Sequence, residues 1–107
     1  MLIGGKSKKE EKEKLIISFA QKLGIVCLRS LEEYIKKNKI VKCYIIIPHP
    51  PHPNVINYAK NISLVEMVFS SDFKKKIEEI KKTHSNSIIE IIDLEDFGEK
   101  NFMRDVV

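Results

Sequence analysis

Three clusters of side chains in this sequence could do chemistry. The first is Pro48-His49-Pro50-Pro51-His52-Pro53, where two imidazoles stand three residues apart. Histidine titrates near neutral pH, which suits general acid–base work, and it is a common metal ligand. The four prolines nevertheless hold the stretch extended and deny it the helix that would converge the rings. A zinc site needs three or four converging ligands. His84 lies far along the chain, and Cys27 and Cys43 read as small buried hydrophobes in strands rather than as ligands or disulfide partners. No nucleophile or second proton carrier stands beside the histidines. The segment reads as a stiff loop between two strands, with no catalytic residue, metal or cofactor expected.

The second cluster is acidic. Asp93-Leu94-Glu95-Asp96-Phe97-Gly98-Glu99-Lys100 puts four carboxylates on one short loop between two apolar segments, Ile88 to Ile92 and Asn101 to Val107. If the second segment is a strand, its outer edge is open unless something pairs with it. The third cluster is basic. Lys36, Lys37, Lys39 and Lys42 group in the middle of the chain, and Lys74, Lys75, Lys76, Lys81 and Lys82 group on a later helix. A basic helix face can follow a phosphate backbone, it can meet an acidic partner, or it can simply be solvated. A net charge of +4 conceals this separation of signs.

These groups must be positioned by one small domain, since 107 residues leave room for one modest core. Residues 1–14 read as a charged N-terminal segment and 15–107 as the folded part. No apolar run is long enough to cross a bilayer, and no signal peptide is evident, so a cytoplasmic chain without membrane contact is expected. Gly4-Gly5-Lys6-Ser7 lacks the spacing of a phosphate-binding loop. Heavy Lys, Glu and Ile usage suits a hot habitat or an AT-rich genome.

Leu15, Ile16, Phe19 and Leu23 recur at helical spacing and predict a first helix, with Gly24 as its C-cap. Ile25 to Leu28 reads as a short strand. Ser30 and Glu33 form a capping box that opens a brief helix. Val41 to Ile47 is continuous, β-branched and apolar, as expected of a strand buried on both faces, and Pro48 ends it. Asn61 to Phe69 predicts the next strand. Asp72 is the N-cap of a helix that buries Phe73, Ile77 and Ile80 and that ends at Thr83-His84-Ser85-Asn86.

From Val41 onward the order of elements resembles the C-terminal, nuclease-like domain of the tRNA-splicing endonuclease family. The resemblance rests on Cys43-Tyr44-Ile45-Ile46-Ile47-Pro48 with the following Pro/His loop and Leu64-Val65-Glu66-Met67-Val68. It rests also on Ile80-Lys81-Lys82-Thr83-His84-Ser85 and on Ile88 to Val107. It implies an α/β domain with a mixed, largely antiparallel sheet flanked by helices. Catalytic members of that family cleave pre-tRNA at a bulge-helix-bulge without a metal, leaving a 2′,3′-cyclic phosphate, by means of a Tyr, a His and a Lys. Here Ile47 stands at the Tyr position, His52 is the candidate for the His, and Asn86, Ser87 and Ile88 stand where the Lys belongs. Without those groups, general acid–base cleavage loses its main contributors.

The resemblance therefore implies a structural, non-catalytic subunit that positions a catalytic endonuclease subunit on intron-containing pre-tRNA. Its partner-binding residues would be Asp93, Glu95, Asp96, Phe97, Glu99, Phe102, Met103 and Val106. Lys74, Lys75, Lys81 and Lys82 would be contacts to RNA. The alternative is a stand-alone α/β domain that binds nucleic acid or regulates.

Overall fold

Four successive residues, Leu15, Ile16, Ile17 and Ser18, are almost wholly buried. A helix half-covered by a core cannot hide four neighbours in a row, but a strand covered on both faces can. This is the first of four strands in the computed structural model, which describes residues 12–97. The order is β1 (Lys14–Phe19), α1 (Ile25–Lys37), β2 (Ile40–Ile47), α2 (Pro53–Lys60), β3 (Val65–Phe69), α3 (Phe73–Thr83) and β4 (Ile88–Asp93). A helical turn follows at 94–97.

The fold is α/β, as expected, but the sheet is not antiparallel. Its order is β3-β2-β1-β4 and every pairing is parallel. Each strand is joined to the next by a helix, and such a crossover returns the chain to run in the same direction. The chain steps from β1 to β2 to β3 in one direction, then crosses back over both to reach β4. With right-handed crossovers, that reversal places α3 on the opposite face of the sheet from α1 and α2.

Packing agrees. On one face Leu28, Leu31 and Ile35 of α1 and Val55 and Ala59 of α2 cover Ile16, Cys43, Ile45, Ile47 and Ile92. On the other, Ile80 of α3 meets Ile17 and Ile46, with Phe73, Ile77, Phe19 and Tyr44 partly buried around them. Ile45 and Ile46 are successive, fully buried and on opposite faces. The Ser18 hydroxyl, buried in β1, donates to the Tyr44 carbonyl at 2.7 Å.

Several sequence expectations change. The stretch read as a first helix is β1, and Gly24 is the N-cap of α1 rather than a C-cap. Ile25 to Leu28, read as a strand, is the first turn of α1, because Leu28, Leu31 and Ile35 share its buried face. Cys27 consequently lies on a helix, while Cys43 lies in β2, and both are free thiols. Ser30 sits inside α1. The strand expected from Asn61 begins at Val65, and residues 53–60 are a helix that the loop reading missed. Expected and observed spans agree for β2, for α3 with its Asp72 cap and for β4. Glu99 of the expected acidic loop and the expected closing strand, with Phe102, Met103 and Val106, lie outside the described residues.

Candidate functional site

Parallel α/β sheets place ligands and reacting groups at the C-terminal ends of their strands, in the crevice where the chain reverses direction. Here that crevice lies between the ends of β1 and β4. The same edge carries the loop after β2, with His49 and His52, and the loop after β3, with Ser70, Ser71 and Asp72. Two of the three clusters singled out in the sequence thus converge on one rim of the molecule.

At that rim Asp72, Asp93, Glu95 and His52 are occupied by the backbone. Glu95 reaches across the crevice and accepts the Gln21 N–H at 2.8 Å, joining the turn after β4 to the loop after β1. One oxygen of Asp93 accepts the N–H groups of Glu95 and Asp96, at 3.2 and 3.4 Å, and so starts the helical turn. Asp72 caps α3 by accepting the Lys75 N–H at 3.1 Å, and its own N–H donates to Ser70 Oγ at 3.2 Å.

His52 has the same kind of task. Its Nδ1 accepts the Asn54 N–H at 3.1 Å, which makes it the N-cap of α2, with Pro53 in the first turn. Proline is well placed there, since its fixed φ suits a helix start and its missing N–H has no partner in the helix anyway. The segment read as rigid and extended is therefore a helix-initiation signal. His49 is exposed. Among the described residues no three or more His, Cys, Asp or Glu side chains are grouped so as to hold a metal ion.

Cys27, in the first turn of α1, packs against the core near Glu95. Burial is the largest influence on its thiol and raises its pKa, and the nearby Glu95 carboxylate raises it further. Hydrogen bonds to the backbone at Gly24 and Cys27 act the other way without prevailing. A thiol held protonated is a poor nucleophile. Cys43 is more extreme: desolvation in the sheet core pushes it up to about 12.

The positions that the endonuclease resemblance assigned to catalysis are not brought together. Ile47 is 1% exposed and packed in the core. His52 is committed to its cap, while Asn86 and Ser87 lie beyond α3 at the opposite end of the sheet. Phe97 of the acidic turn packs against the core and meets Tyr34 edge-on, with ring centroids 5.4 Å apart. Tyr34 in turn donates to both oxygens of Glu90, at 2.6 and 2.8 Å, and this carboxylate raises its phenol to about 12. Within the described part of the acidic loop, Leu94, Glu95 and Phe97 are thus held against the fold.

Sequence reasoning missed a polar cluster on the α3 side. The Tyr44 hydroxyl lies 2.8 Å from His84 Nε2, tying the end of α3 to β2. Lys42 Nζ sits 5.4 Å from the centre of the Tyr44 ring and pairs with Glu66 at 3.0 Å. Beside them is a groove of about 310 Å³ lined by Tyr44, Glu66, Val68, Lys76 and Thr83, among others. Alternation along β2 puts Lys42 and Tyr44 on one face, but nothing in the sequence announces His84 as their neighbour.

No family model, no curated protein and no solved structure matches this chain. Its function is accordingly read from the residues and the fold alone.

Proposed function

We propose that this chain is a non-catalytic docking module that works by holding another polypeptide. The observation that carries this reading is the state of the C-terminal rim. Asp72, Asp93, Glu95 and His52 are each spent on capping a helix or bridging a loop, whereas an active site leaves such groups aimed at a substrate. The surface offered instead is the margin at β4. It is an edge strand whose outer side has no pairing partner among the described residues, with Ile88 50% and Ile91 43% exposed. Exposed apolar side chains on an unpaired strand favour addition of a further strand or of an apolar face.

The endonuclease resemblance supplies one candidate partner, a catalytic tRNA-intron endonuclease subunit. The all-parallel sheet departs from the sheet that resemblance implied, so this partner enters as the first arm of the test. The chain is mixed with such a subunit and the mass of the complex is measured by light scattering, for the native sequence and for Ile91→Lys. A complex that Ile91→Lys abolishes without unfolding the chain supports docking at β4. A complex that Ile91→Lys leaves intact removes β4 as the surface. Cleavage of a bulge-helix-bulge RNA by the chain alone contradicts the reading.

A further inference from the structure

We infer that the outer face of α3 is a contact surface for a nucleic-acid phosphate backbone, one that reads charge and not sequence. This does not rest on the docking reading, because it concerns the solvent side of a helix and not the edge of β4, and it is tested on the chain alone. At 3.6 residues per turn, Lys74, Lys75, Glu78, Lys81 and Lys82 fall within one arc of about 120°, opposite Phe73, Ile77 and Ile80, which turn to the sheet. All five are exposed. Four lysines against one carboxylate leave this arc strongly positive. The single acid, Glu78, meets Lys81 at 3.6 Å in an exposed pair of little energetic weight. Lys76 stands off the arc, lining the groove beside Tyr44 and paired with Glu79 at 3.1 Å.

Length and composition point to phosphates. From Lys74 to Lys82 the helix rises about 12 Å, and that length of duplex carries about seven phosphate charges. The arc holds no apolar residue to enter a lipid interface. It also holds no aromatic side chain or arginine of the kind that anchors a protein interface or reads base edges. Lysines on flexible stems suit sequence-independent neutralisation of a backbone. The rest of α3 fits an exposed platform: Asp72 fixes its start, and the Tyr44–His84 contact ties its end to β2.

The test is fluorescence anisotropy of the full chain with a labelled 20-base-pair RNA duplex, the DNA duplex of equal sequence and the RNA single strand, titrated in salt. Anionic phosphatidylserine vesicles form a separate arm. The expected result is binding to both duplexes with similar affinity and a log–log salt slope of about −3. Changing Lys74, Lys75, Lys81 and Lys82 together to Gln removes most of that slope and lowers affinity at least tenfold. Lys36→Gln with Lys37→Gln on α1 leaves both unchanged. All four positions are exposed, so circular dichroism and urea unfolding verify that the variant still folds. Duplex binding that the α3 changes leave intact overturns the inference, as does binding confined to vesicles or no binding in 50 mM salt.

Discussion

The two faces of the sheet do different work. The face under α1 and α2 buries an extended cluster that runs from Leu23 and Leu28 through Ile45 to Val55, Ile92 and Leu94. The face under α3 fully buries Ile17 and Ile46, with Ile80 at 9% exposure, and its remaining apolar residues are partly open. Hydrophobic stabilisation scales with the area removed from water, so most of it lies on the first face. The second face carries the lysine arc, the Tyr44–His84 contact and, along β4, exposed Ile91. A small domain that keeps one face for its own stability leaves the other for partners, and regions of low packing are where local opening and binding occur.

Ile45 and Ile46 give the sharpest way to break this comparison, because they are adjacent, chemically identical and equally buried. Truncation to Ala should cost about 4 kcal/mol at Ile45 and about 2 kcal/mol at Ile46, the thinner face relaxing and hydrating more readily. Urea unfolding of the two variants measures the gap, and equal losses would show the faces to be equivalent.

Next in size is Asp72→Ala. It removes the cap that fixes α3 and should cost about 1 kcal/mol, while hydrogen exchange speeds up in α3 and not in α1. Smaller again is Glu95→Ala, which releases the bridge to the Gln21 N–H. A few tenths of a kcal/mol are expected at this exposed site, with faster exchange of the Gln21 amide as the specific sign.

A fourth prediction concerns pH. The Glu90 hydrogen bonds favour the neutral phenol of Tyr34 in the folded state, raising it from 10 to about 12. Its contribution to stability is therefore complete below pH 10 and is lost as pH rises from 10 to 12. Ultraviolet titration should show delayed tyrosine ionisation, since the Glu32 hydrogen bond raises Tyr58 as well, and Glu90→Gln should remove the part that belongs to Tyr34.

The parts of the fold that were legible in the sequence were those whose signal is local. Val41 to Ile47 is too continuous and β-branched to be anything but a buried strand. Asp72 with Phe73, Ile77 and Ile80 states both the start and the face of α3. Leu15 to Phe19 misled because Leu15, Ile16, Phe19 and Leu23 match a helical template as well as a strand. The sheet that decides between them is built from residues far away in sequence, with β1 lying between β2 and β4. Direction of pairing was invisible for the same reason. Once 53–60 is a helix, β2 and β3 must run parallel, and recognising that helix required reading His52-Pro53 as a cap and first turn instead of a stiff loop.

The rim shows the same limit. The sequence displayed Asp93, Glu95, Asp96 and His52 as free chemical groups, whereas in the fold Asp93 and His52 cap the backbone two or three residues further on and Glu95 holds a backbone N–H of a distant loop. Residue type marks what a side chain can do. Its neighbours decide whether it is still available.

Hydrogen exchange resolved along the chain tests the division of labour between the two faces most directly. Residues 25–37 and 53–60 should exchange at rates set by global unfolding, and residues 73–83 and 88–93 through easier local opening. Added duplex should slow exchange at 73–83 and leave 25–37 unchanged. If α1 exchanges as readily as α3, or if duplex protects α1 instead, the account of a stabilising face and a binding face is contradicted.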